Sequence, residues 1–145
     1  NICRSPTAHG VFEEMVSRSG LSQSIAVDSA GTGAWHIGDS PDERASAAAA
    51  ERGYDLSSLR ARQVHTDDYL QFDYILAMDT KNLSHLSELA PENYQGHIGL
   101  FLDFHPQRPM RDVPDPYYGG DEGFDEVLDL IEAASRGLLH HVRGD

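Results

Sequence analysis

The chain has 145 residues, 39% of them apolar and 24% charged, ordinary values for one soluble globular domain that buries about 68% of the surface its unfolded chain would expose. A formal charge of −13, from 24 acidic against 11 basic side chains, opposes non-specific attraction to nucleic acid or to an acidic membrane surface. The single cysteine, Cys3, excludes an intrachain disulfide and any multi-cysteine metal site among these residues, and it suits a reducing, cytoplasmic setting. Neither a run of 18 apolar residues nor a basic stretch leading into an apolar core is visible, so neither a membrane span nor a secretory signal is expected.

In chain order, "SPTAHGVFEEMVSRSG" sets Ala8, Val11, Phe12 and Met15 at helical spacing, with Pro6 in the first turn and Gly20 at the stop. "SIAVDSAGTG" predicts a short strand over Ile25 to Val27 followed by a loop of small residues. Ser40, Pro41 and Glu43 read as a capping-box start for an alanine-rich helix running to Arg52 and stopped by Gly53. "FDYILAMD" is the strongest strand, a nearly continuous apolar run such as a buried parallel strand carries. A helix over "TKNLSHLSELAP", a strand over "HIGLFLDF" and a helix from Gly123 to Val142 complete the order, the last with Val127, Ile131, Ala134 and Leu138 on one face. His140 and His141 point about 100° apart on that helix and are expected to face solvent rather than to chelate one metal. The acidic "GGDEGFDE" favours the dipole at the start of the last helix, and beside Asp115 it could also select substrates with basic flanks.

Alternation of helix and strand predicts a three-layer α/β fold, flavodoxin-like or Rossmann-like. Its parallel sheet has about four strands, helices on both faces, and ligands at the carboxyl ends of the strands. A loop that opens a helix in such a fold follows a strand, so a first strand is expected ahead of Asn1. The opening "NICRSPTA" then reads as the second half of an anion site. Backbone N–H groups in a tight turn that feeds a helix start form a nest for a phosphate. Arg4 adds a planar fork for two of its oxygens, and Ser5 a further donor. Taken alone, an arginine beside a Ser-Pro helix start is equally a surface cap, and Asp115 before Pro116 is equally a turn residue.

"NICRSPTA", "DSAGTGAWHIGDSPDERA", "ARQV", "FDYILAMDTKNL" and "DVPDPYYGG", in order along almost the whole chain, resemble the low-molecular-weight protein tyrosine phosphatases. In that family the loop runs Cys-x-Gly-Asn-Ile-Cys-Arg-Ser-Pro, and the first cysteine is the nucleophile of a Cys-x5-Arg signature. The match sets Arg4 on the signature arginine, Cys3 on the second cysteine and Asp115 on the general acid. Asn1, Ile2, Cys3, Arg4 and Ser5 fall in the phosphate-binding loop. Because position 9 is His9 and not arginine, Cys3 does not fit as nucleophile, and the nucleophile is expected three residues before Asn1. The 145 residues then form a single phosphatase domain lacking its first strand and its cysteine, inactive as it stands. The resemblance implies hydrolysis of phosphotyrosine proteins or other aryl phosphates through a phosphocysteine, an inorganic phosphate or similar oxyanion in the loop, and no metal or other cofactor. It places Trp35, Tyr117 and Tyr118 as walls of the substrate pocket and Ser29 as a brace for Asn1. Ile2 stands where related arginine phosphatases carry a threonine, which favours tyrosine. The competing readings are a nucleophile-less phosphotyrosine- or phosphate-binding module and an arsenate reductase of the same fold. The latter passes a disulfide between further cysteines, and none follows Cys3.

Overall fold

The computed structural model describes residues 4–31, 37–107, 110–114 and 121–143, with side chains of the last segment from residue 123. The first helix, α1 (Arg4–Arg18), buries Ala8, Val11 and Phe12 as the spacing predicts, while Val16 is fully buried in place of Met15, which is only partly covered at the edge of the core. It ends in a Schellman motif: Gly20, at φ +75°, donates to the Ser17 carbonyl and Leu21 donates to that of Val16. Next, α2 (Glu43–Glu51) closes the same way, with Gly53 at φ +90° donating to Ala50 and Tyr54 to Ala49. Its start differs from the sequence reading. The cap is Asp42, whose carboxylate accepts from the backbone N–H groups of Arg44 and Ala45, two residues later than the Ser40 start.

A short helix that the sequence did not announce, α3 (Asp68–Gln71), precedes β1 (Tyr74–Ala77). The crossover helix α4 (Thr80–Leu89) then leads to β2 (His97–Leu100), which pairs parallel to β1 with Tyr74 opposite His97 and Ala77 opposite Leu100. The apolar run continues past Leu100, but Phe101–Phe104 wind into a 3-10 turn, because β1 ends at Ala77 and offers no further ladder. Finally α5 (Asp121–Arg143), 23 residues and about 35 Å long, buries Val127, Ile131, Ala134 and Leu138 as expected, together with Leu128.

Helices α1 and α5 pack on one face of the strands with Phe101, Leu102 and Val113. On the other face Leu86 of α4 covers Ala77 of β1 and Leu100 of β2. The result is the parallel α/β arrangement of the flavodoxin-like kind. Gly137 brings α5 against the 3-10 turn, where a side chain would meet the Phe104 carbonyl. His140 and His141 are both exposed, as expected, and the edge of the His141 ring also lies against Phe104 at 5.3 Å and Tyr74 at 5.8 Å between centroids. An ion network joins α2 to α5: Arg52 donates to Asp129 and Glu132, and the Tyr54 hydroxyl donates to Glu132. Burial, reinforced by that carboxylate, pushes the Tyr54 phenol up to about 12.

The predicted strand at Ile25–Val27 is irregular chain without a ladder. Its end makes one parallel bridge, Gly31 to Gln63. Between residues 24–31 and β1 lies a cavity of about 430 Å³, which β1 borders on the edge away from β2 and α1 closes with Ser5, Ala8, His9 and Phe12. With that gap beside it, the segment has no neighbour to pair with among the described residues.

Candidate active site

Three segments meet at the carboxyl end of β1. Helix α1 begins there with Arg4 and Ser5, and Pro6 falls in the first turn, where its missing N–H costs nothing. From β1 the chain passes through Met78 to Asp79, the cap of α4. The segment 110–114 lies alongside: Val113 donates its N–H to the Met78 carbonyl at 2.7 Å, and Asp112 accepts from the Thr80 N–H at 2.9 Å. Asp115 follows two residues after Val113.

Arg4 ties the three together. Its guanidinium is buried, and Nη1 donates both to Asp79 Oδ2 and to the Val113 carbonyl, each at 2.9 Å. Asp79 serves two purposes, because its other oxygen accepts from the Asn82 N–H at 2.7 Å and caps α4. Burial pushes the Asp79 carboxyl up, but the Asn82 N–H, the Arg4 hydrogen bond and the Arg4 charge outweigh it and hold the group below the ordinary carboxylate value. The guanidinium plane is thus fixed before any ligand arrives, at the opening of a helix whose first N–H groups have no partner within the helix.

Ser29 and Ser5 both line the cavity beside α1. The Ser29 hydroxyl lies 2.8 Å from His9 Nδ1, and the Ser29 N–H donates to Asp28. Arg62, of the "ARQV" stretch, grips Asp68 with both terminal nitrogens and Asp28 with Nε, which clamps the 25–31 segment to α3. Asn1, Ile2, Cys3, Trp35, Asp115, Tyr117 and Tyr118 lie outside the described residues. Of the expected site residues, then, Arg4, Ser5 and Ser29 are seen, with Arg4 at the convergence and the two serines along the cavity. The sequence reading missed Asp79 and His9. Asp79 before Thr80 carries a helix-cap signal, but nothing local signals its bond to Arg4, 75 residues away. Among the described residues no group of three or more His, Cys, Asp or Glu side chains is arranged to hold a metal.

A guanidinium anchored at a helix opening, at the carboxyl end of a parallel strand, defines an α/β protein built to receive an oxyanion. Comparison with known proteins makes the class specific. The model of the low molecular weight phosphotyrosine protein phosphatase family matches residues 1–145. A low molecular weight protein-tyrosine-phosphatase of Streptomyces coelicolor is 44% identical over 99% of this chain and 88% of its own length. Among solved structures, a protein tyrosine phosphatase from Entamoeba histolytica with Hepes in the active site superposes with a TM-score of 0.93 at 38% identity, over 99% of this chain and 92% of that one. An arginine phosphatase of Drosophila superposes at 0.91 and 29% identity, over 99% and 92%. The chain belongs to the low molecular weight phosphotyrosine protein phosphatase family, a family of hydrolases.

Proposed function

We propose that this protein hydrolyses the phosphate monoester of phosphotyrosine through a phosphocysteine. The nucleophile is a cysteine three residues before Asn1, at the end of a strand that occupies the cavity between β1 and residues 24–31. The observation that carries the reading is Arg4, buried at the opening of α1 with its guanidinium locked by Asp79 and Val113. A further strand in that cavity would give both β1 and the Ile25–Val27 segment a hydrogen-bonding neighbour and would end beside Arg4.

The thiolate, stabilised by the loop amides, the helix start and Arg4, attacks phosphorus as the P–O(aryl) bond breaks. Arg4 and the amides take up the charge on the equatorial oxygens. Asp115 gives its proton to the leaving phenolate oxygen. It then removes a proton from the water that attacks the phosphocysteine, and the S–P bond breaks to release phosphate and thiolate. By the family resemblance, Trp35, Tyr117 and Tyr118 are assigned to the walls of the substrate pocket, and Ser29 to the brace of Asn1. No step calls for a metal.

Phosphoarginine is the second reading, favoured by the likeness to the Drosophila arginine phosphatase. Ile2, in place of a threonine able to hold a water, argues for tyrosine. The test extends the chain upstream to include the strand and cysteine, then measures hydrolysis of a phosphotyrosine peptide and of phosphoarginine with and without chelator. Metal-independent turnover that prefers phosphotyrosine is expected. Strict dependence on a divalent ion, or turnover of phosphoarginine alone, overturns the proposal.

A further inference from the structure

Ser5, His9 and Glu13 follow one another at four-residue steps along one face of α1. The His9 side chain is only 9% exposed, with Nδ1 2.8 Å from the Ser29 hydroxyl and Nε2 3.4 Å from a carboxylate oxygen of Glu13. A carboxylate accepts and does not donate, so the ring proton belongs on Nε2. In the neutral imidazole Nδ1 is therefore the acceptor. The Ser29 hydroxyl must then donate to His9, which turns its lone pairs away from α1.

We infer that His9 is a positioning residue that sets the direction of the Ser29 hydroxyl and, through it, the geometry of the phosphate-binding loop. This deepens the function proposed above and rests on its assignment of Ser29 as the brace of Asn1. Among the described residues, the groups that share the cavity wall with His9 are Ser5 on α1, Asp28 and Ser29 on the facing segment, and Arg62, Asp68 and Asp73 across it. Asp28 and Asp68 are neutralised by Arg62, and Glu13 on α1 is the carboxylate in contact with the ring.

Two substitutions separate direction from simple packing. In His9→Asn the Oδ1 atom replaces Nδ1 as acceptor. His9→Leu offers no acceptor. In the upstream-extended enzyme, His9→Asn, which keeps an acceptor for the Ser29 hydroxyl, is expected to hold kcat within about threefold of wild type. His9→Leu and Ser29→Ala should each lower kcat about tenfold with KM little changed, the scale of one neutral hydrogen bond. The double variant should lose no more than either alone. Nitrogen-15 imidazole spectra of the wild-type protein should show the neutral His9 ring protonated on Nε2 and not on Nδ1, a readout that does not depend on turnover. A proton on Nδ1 in the neutral ring, a loss of kcat in His9→Asn as large as about tenfold, or full turnover in His9→Leu overturns the inference. Should His9→Leu fail to fold, the comparison of His9→Asn with wild type still decides. If the expected tautomer is found in an enzyme that hydrolyses no aryl phosphate, the proposed function falls and the link from Ser29 to a catalytic loop falls with it, whereas activity with the wrong tautomer rejects His9 alone.

Discussion

Replacing Asp79 removes two interactions made by one side chain, and the two can be separated. Asp79→Ala deletes the cap of α4, worth about 1 kcal/mol, and the charge-assisted bond to the buried Arg4, worth about 1.5–3 kcal/mol. A loss of about 2.5–4 kcal/mol is expected. Asp79→Asn keeps an amide oxygen that can accept from the Asn82 N–H and loses only the charge facing Arg4, so it should cost about 1.5–3 kcal/mol. Urea unfolding at pH 7 reads both values, and the difference between the variants measures the cap. The pH dependence has a fixed sign. The Asp79 carboxyl is held below its ordinary value in the folded protein, so its contribution is complete above the unfolded value near about 4 and is lost as pH falls through the folded one. The gap between wild type and Asp79→Asn should stay level from neutral pH to about pH 5 and then close in acid. Because Arg4 loses an anchor, kcat in the upstream-extended enzyme should fall at least about tenfold. A cost of Asp79→Ala below about 1 kcal/mol, or a gap that widens in acid, would refute the double role.

Arg4→Lys retains the charge but not the planar fork, and kcat should drop by at least about 10²-fold, the scale of one strong oxyanion donor, in a steady-state assay with an aryl phosphate. Asp115→Asn should cripple hydrolysis of phosphotyrosine far more than that of an ester whose phenol leaves readily; comparison of kcat on the two substrates checks this. Gly137→Ala would press a methyl into the Phe104 carbonyl, a backbone atom with little freedom to retreat, and should destabilise the protein by about 1–3 kcal/mol in a denaturation curve while leaving Arg4 and Asp79 in place.

Periodic features were the legible ones. The stripe Ala8, Val11 and Phe12 and the stripe Val127, Ile131, Ala134 and Leu138 are buried as their spacing demands, and Gly20 and Gly53 stop their helices through positive φ. Where the outcome depends on a distant partner, the local pattern fell short. "HIGLFLDF" has no internal mark at Leu100, since the strand ends there only because β1 runs out at Ala77. Ile25–Val27 has strand composition but no adjacent strand with which to form a ladder. Ser40 and Asp42 are both good caps, and the choice of Asp42 is made by the path of the chain. At the site, Arg4 was visible from its motif, whereas its partner Asp79 and the His9–Ser29 bond arise from segments brought together by the fold.

The packing of α1 against α5 has a consequence for synthesis. These helices are the first and last elements of the described fold and share one hydrophobic core, yet about 100 residues separate the end of one from the start of the other. At roughly 5–20 residues per second, the ribosome delivers α5 about 5–20 s after α1. During that interval Val11, Phe12 and Val16 have no α5 to cover them, and loop closure over so long a span is slow even once the chain is complete. The apolar stripe that later fixes Arg4 in place is therefore, in the nascent chain, an exposed adhesive surface, and the yield of folded protein depends on how long that surface is shielded from other chains.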